Sequence, residues 1–163
     1  MASGDLLFDF AVQANEPPAS AAAALDVRNA RPVIAFDATT DESAVFCGTL
    51  PNAYAAGGIT LTLEWTGASA TSGNVVWQTA FERCDTGTDM DADSFATANS
   101  TTAAAPGTSG APAYTTVAHT NGAQIDSVLK NETFRLKVTR NASSGSDTMT
   151  GDSHLSRVFG RES

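Results

Sequence analysis

Positive charge is the scarcest feature of this sequence. Its 163 residues include 9 Lys or Arg against 18 Asp or Glu, a formal net charge of −9. Only Lys130 and Lys137 are lysines. The cations form no cluster, and phosphate neutralisation needs local positive charge, so nucleic acid is not an expected partner. Apolar runs are short as well. None approaches the ~20 residues of a membrane-spanning helix, so no membrane partner is expected. The first ten residues hold Asp5 and Asp9 and no basic residue, so a secretory leader is not expected there. Cysteine is nearly absent: Cys47 and Cys84 are far apart and fit no metal-ligand spacing. Free thiols are the default reading, and a bridge would need their strands to be adjacent.

What is abundant is small. Ala, Thr and Ser make up 65 residues. Yet 42% of residues are hydrophobic, with Val, Ile, Leu and Phe spread along the chain. That supply supports a core and argues against disorder. A chain of this length forms one domain, or one domain plus an arm, and buries roughly 70% of its unfolded surface.

The hydrophobic pattern has period two. Ile59, Leu61, Leu63 and Trp65 alternate with Thr60, Thr62 and Glu64, as in a half-buried strand. Residues 74–83 place Val75, Trp77 and Phe81 on one face. Residues 133–139 place Phe134, Leu136 and Val138 inward. Further strands are predicted at 32–37, 43–50, 113–119 and 154–161, with another possible at 6–12. Turn signals separate them at Gly57-Gly58, Ser72-Gly73, Asn121-Gly122 and Ser144-Gly145. The 66–72 stretch is short enough to close a hairpin. Helical turns are predicted only at 20–25 and 125–129. Too few helices exist to cover a parallel sheet. The expected fold is all-β: an antiparallel β-sandwich of jelly-roll type with seven or eight strands, one long loop at 85–112, and an N-terminal arm. The domain organisation is then an arm over 1–30 and a sandwich over 31–163. Leu6, Leu7, Phe8 and Phe10 form an apolar cluster in that arm and would anchor it to a partner. The same four residues also read as the first strand of the sheet.

Several residues invite a chemical reading, each with a plainer counterpart. Gly151-Asp152-Ser153-His154 matches the start of a lipase and esterase motif, but too little chain follows to complete a triad. His119 reads as a solvated surface residue. Glu64 and Glu82 lie on apparently neighbouring strands, on the outward phase, with nothing to pair them as glycosidase carboxylates. No catalytic set is expected. Asp85, Asp89, Asp91 and Asp93 could hold a calcium ion through oxygen ligands. The spacing resembles an EF-hand loop but has Ser94 and Ser100 where that loop needs Gly and Glu, so a solvated acidic loop is preferred and no cofactor is expected. Trp65 and Trp77 fall on the inward phase and read as core. Tyr54 and Tyr114 are the better candidates for an exposed aromatic contact.

Residues 36–46, 50–54 (Leu-Pro-Asn-Ala-Tyr), 58–65, 72–77, 91–95 and 134–140 leading to 147–152 carry a resemblance in their order and spacing. The chain resembles small jelly-roll virion proteins of tailed bacteriophages, over about residues 36–160. The resemblance implies a non-enzymatic decoration or cement protein on the capsid exterior, made in the host bacterial cytoplasm. It also implies homotrimers that cross-link the major capsid protein, with an arm reaching across subunits. The alternative it leaves is a carbohydrate-binding or host-surface adhesion module on a tail or fibre.

Overall fold

The computed structural model describes residues 2–163 and contains ten strands. They are β1 (Leu6–Ala11), β2 (Ala24–Arg28), β3 (Arg31–Phe36), β4 (Glu42–Thr49), β5 (Ile59–Gly67), β6 (Asn74–Cys84), β7 (Asn99–Ala104), β8 (Ala113–His119), β9 (Thr133–Arg140) and β10 (Ser153–Glu162). All pairings between them are antiparallel. One sheet runs β2-β3-β10-β5-β8, with β1 sharing the β10 edge beyond β3. The other runs β4-β9-β6-β7. The fold is a β-sandwich of jelly-roll type, as the alternating pattern predicts.

The inward phases meet in one core. Trp65 and Trp77 are fully buried and stack edge-on with ring centroids 5.7 Å apart. Phe36 stands edge-on to Trp77 at 5.2 Å. Phe46, Phe81 and Phe134 complete the aromatic layer. Trp65 Nε1 donates to Thr115 Oγ1 at 2.8 Å, so the indole is buried without an unpaired donor.

The described residues of the N-terminal segment, 2–30, do not form an arm. β1 pairs with β10 from Leu6–Arg161 to Ala11–Arg157. Leu7, Phe8 and Phe10 are buried in the core, and only Leu6, at 46% exposure, faces outward. The Phe8 ring lies 4.9 Å from Phe134, and Phe10 stacks on Phe46 at 5.4 Å. Gly160 and Gly48 provide the seats: a Cβ at Gly160 would collide with the Phe8 ring, and one at Gly48 would approach Phe10 to 2.7 Å. The chain then crosses to the edge of the four-stranded sheet. Glu16 N–H donates to Val45 O at 2.7 Å, and Ser43 N–H to Ala21 O at 2.8 Å. It returns as β2 beside β3. The first segment therefore stitches both sheets together, because its apolar cluster finds a better partner in the core than in another protein.

Four further expectations change. The Ala-rich stretch at 20–25 enters an extended strand rather than helical turns, and β7 forms within the expected loop 85–112. Near 125, the observed helix is a single 3₁₀ turn at Ala123–Ile125. Residues 66–72 do not close a hairpin. β5 and β6 belong to different sheets, so that connection crosses the sandwich.

At the end of the sandwich, the connection 141–152 folds around one buried cation. Arg140 is fully buried. Its Nη2 donates to Asp147 Oδ1 and its Nε to Asp147 Oδ2, at 2.8 and 3.1 Å. Nη1 and Nη2 also donate to the carbonyls of Gly151 and Met149, each at 2.8 Å. Asp147 Oδ2 additionally accepts from Val76 N–H at 3.0 Å. Every polar atom of this buried pair is used, which is the condition for tolerating charge in a core.

Candidate functional site

The residues proposed for catalysis or metal binding do not converge. Ser153 is buried in the interior, while His154, next on the strand, is only half-buried and meets Arg28 at the sheet surface. Glu64 and Glu82 lie on strands of different sheets, so they are not neighbours and cannot face each other across a cleft. Glu82 is buried against Arg135, with Arg135 Nη1 donating to Oε2 at 2.7 Å. In the acidic loop, Asp85 accepts from Arg83 at 2.8 Å, and Asp89 Oδ1 accepts from Asp91 N–H at 3.0 Å. Among the described residues no three carboxylate, thiol or imidazole groups form a metal-binding cluster.

His119 is not a surface residue. It is buried against Phe81, with ring centroids 5.1 Å apart. Its Nδ1 lies 3.1 Å from the Gln124 carbonyl, which can only accept, so Nδ1 carries the proton. Nε2 then accepts from Thr79 Oγ1 at 2.8 Å. Burial pushes its pKa below the usual value near 6.5, against a smaller opposing effect of the Gln124 bond. The unfolded chain therefore takes up the proton first as pH falls. The stabilisation is full above about pH 6.5 and is lost as pH falls through that value toward the lowered folded one. His154 shifts in the same direction, through burial and then the Arg28 charge. Melting temperature should fall between about pH 7 and 5, and His119→Gln should flatten that slope; an equal slope in the variant would contradict the assignment.

The cysteines lie on the outer face of the four-stranded sheet, where Cys47 is exposed. β9 separates β4 from β6. Two strand spacings place the two backbones about 10 Å apart, beyond the roughly 7 Å that a disulfide spans. Both are free thiols. Partial burial first, and a nearby carboxylate second, raise both pKa values, which keeps them protonated and weakly reactive. They line a cleft of about 660 Å³ with Glu82, Arg135 and Met90, beneath the acidic loop. That cleft contains no aromatic side chain.

The outer face of the six-stranded sheet is different. Along β8 the side chains of Tyr114, Thr116 and Ala118 are exposed while Thr115, Val117 and His119 turn inward. Tyr114 is 62% exposed. It pairs across the sheet with Glu64, and Glu64 pairs in turn with Arg157 on β10. In the next row, Thr116 pairs with Thr62 and Thr62 with Phe159. Tyr114 and Phe159 are thus two strands apart and one row out of step, about 12 Å by strand geometry. A β-bulge at Ser156 lies beside the first row, on the side away from Phe159, and its Oγ donates to the Glu64 carbonyl at 3.0 Å. The result is an open platform with one free aromatic ring, hydroxyls, a carboxylate and a guanidinium.

One end of the platform drops into a small pocket of about 110 Å³. Glu64, Thr66 and Ser156 line it, with Arg28, Arg31 and Pro112 around them. Arg28 holds the adjoining loop in place. It donates to Gly67 O at 2.7 Å and to Ser109 Oγ at 2.9 Å. Gly110, at φ +87°, lets the backbone pass beside that guanidinium, and its N–H donates to Thr66 Oγ1 at 3.0 Å.

Of the two tyrosines expected to be exposed, only Tyr114 is. Tyr54 is buried, donates to Asn121 Oδ1 at 3.2 Å, and has its pKa pushed up by burial. The period-two pattern of β8 carried the signal for Tyr114. The pocket beside it had none, because Arg28, Glu64, Gly110 and Ser156 come from four distant stretches of chain.

No family model matches the chain, and no curated protein does. Among solved structures, it is similar to the CBM22-1 xylan-binding domain from Paenibacillus barcinonensis Xyn10C. The identity is 9%, over 99% of this chain and 96% of that one, with a TM-score of 0.55. TmCBM61 in complex with β-1,4-galactotriose matches at 10% identity over 81% of this chain and 71% of that one, with a TM-score of 0.36. The first similarity covers nearly the whole of both chains, so the shared architecture is that of the whole sandwich.

Proposed function

We propose that this protein is a non-enzymatic carbohydrate-binding module, with the open face of the six-stranded sheet as its binding platform. The observation that carries the reading is Tyr114: a large aromatic ring, 62% exposed, on an uncovered sheet face among polar side chains. A sugar ring has an apolar C–H face and a polar rim. An aromatic ring buries the first, while Thr116, Glu64 and Arg157 can hydrogen-bond the second. The likeness of the fold to a xylan-binding domain supports the same reading. The decoration role came from the sequence resemblance over residues 36–160, and the apolar arm expected to anchor it is a core strand. In the virion setting of that resemblance, the module would belong on a tail or fibre and meet glycans of a bacterial surface.

Affinity electrophoresis through gels containing soluble polysaccharides tests this. The protein should be retarded by at least one polymer. Tyr114→Ala should weaken that binding at least about tenfold, as for a central aromatic anchor, while leaving the melting temperature unchanged. No retardation by any polymer, or equal retardation of the variant, would refute the proposal.

A further inference from the structure

We infer that the glycan is acidic: a uronic acid unit stacks on Tyr114 and places its carboxylate against Arg31 in the adjoining pocket. This rests on the glycan-binding reading and adds the class of sugar to it.

The starting point is how rarely this chain leaves a guanidinium unused. Arg83, Arg135, Arg140 and Arg157 are ion-paired with its own acids. Arg161 donates to Gly4 O, and Lys137 lies over the Phe95 ring. Arg31 has no acceptor among the described residues and is exposed at the pocket. Arg28, beside it, has only neutral partners: Gly67 O, Ser109 Oγ and the His154 ring. Two positive charges without an ion pair thus share one small pocket, in a chain whose net charge is −9.

The pocket's own carboxylate offsets only one of the two charges, so the pocket keeps a net positive charge. Among the described residues Glu64 makes no ion pair with Arg28 or Arg31, and its strand neighbour Arg157 is bonded to Asp9. A guanidinium presents a planar fork of donors that matches a carboxylate in two parallel bonds. Arg28 is held in place by its bonds to Gly67 O and Ser109 Oγ, so it supplies fixed positive potential at no further ordering cost. Glu64 and Tyr114 are direct cross-strand neighbours. Such neighbours have Cβ atoms about 5 Å apart, so one sugar unit can lie on the ring and reach the pocket.

The experiment compares acidic and neutral polymers by affinity electrophoresis and calorimetry: polygalacturonate and alginate against xylan and galactan. Wild type should bind an acidic polymer at least about tenfold more tightly than either neutral one, with affinity falling as salt rises. Arg31→Ala should lose most of that preference and its salt dependence, with the fold intact by melting temperature. Arg31→Lys should restore part of it, because charge returns without the fork. If neutral polymers bind as tightly as acidic ones, or Arg31→Ala keeps the preference, the acidic-sugar inference fails and the glycan reading stands. If no polymer of either kind binds, both fail.

Discussion

Asp147→Ala should lower the unfolding free energy by about 3–5 kcal/mol, the usual cost of leaving a buried charge without its partner. Among the described residues Asp147 is the only carboxylate bonded to the guanidinium of Arg140, and the two side chains are 1% and 0% exposed. Its loss strands a cation between Met149, Gly151 and the core aromatics, and also removes the acceptor for Val76 N–H. The 141–152 connection keeps other bonds, among them those of Thr148 and Met149 to Asn74, Asn141 to Val76 and Ser143 to Asp41, so the loss comes from the stranded charge. Urea unfolding of wild type and variant, read by tryptophan fluorescence, measures the change through the midpoint at constant slope. The double replacement Arg140→Leu with Asp147→Leu should recover much of the loss, since a packed apolar pair pays no desolvation cost. A single-variant loss under about 1 kcal/mol would mean that water reaches Arg140.

Phe8→Ala should cost a similar amount, about 3–5 kcal/mol. The ring is buried in a seat made by Gly160 and packs on Phe10 and Phe134. Removing it leaves a cavity in a layer of close-packed rings, where the neighbours cannot collapse. Gly160→Ala tests the same contact from the other side, because its new Cβ would occupy the ring's place. Both variants should unfold at clearly lower urea. A free arm makes the opposite forecast: stability unchanged within about 0.5 kcal/mol, as for an exposed substitution. The two measurements decide whether residues 6–11 belong to the core in solution as they do in the structure.

Legibility in the sequence varied with how each segment is buried. β5 and β9 alternate apolar with polar residues almost without a break, so the pattern exposed them directly, along with the core roles of Trp65 and Trp77. β2 and β7 gave no such signal. β2 is an edge strand with Leu25 and Val27 exposed, and β7 is built from Asn, Ser, Thr and Ala. The small side chains of β7 carry almost no hydrophobic period, and the apolar side chains of β2 are exposed, so backbone pairing to β6 and β3 decides their conformation. His119 was misjudged for a related reason. Its burial depends on Phe81 and Thr79, which come from another sheet.

The candidate site divides the same way. The exposure of Tyr114 follows from its phase on β8, a property of seven consecutive residues. Alternation, composition and the lack of cation clusters are local or summed quantities, so the sequence by itself determined an all-β chain with an aromatic core and no nucleic-acid patch. Which sheet each strand joins is not local. It depends on which apolar faces bury together at least cost, across separations of up to 150 residues. That choice drew β1 into the core, separated Glu64 from Glu82, kept Cys47 apart from Cys84, and brought Arg28, Arg31, Glu64 and Ser156 together beside Tyr114. Only the tertiary structure could decide it, because the physical driving force, burial of one face against another, does not exist until both faces are formed.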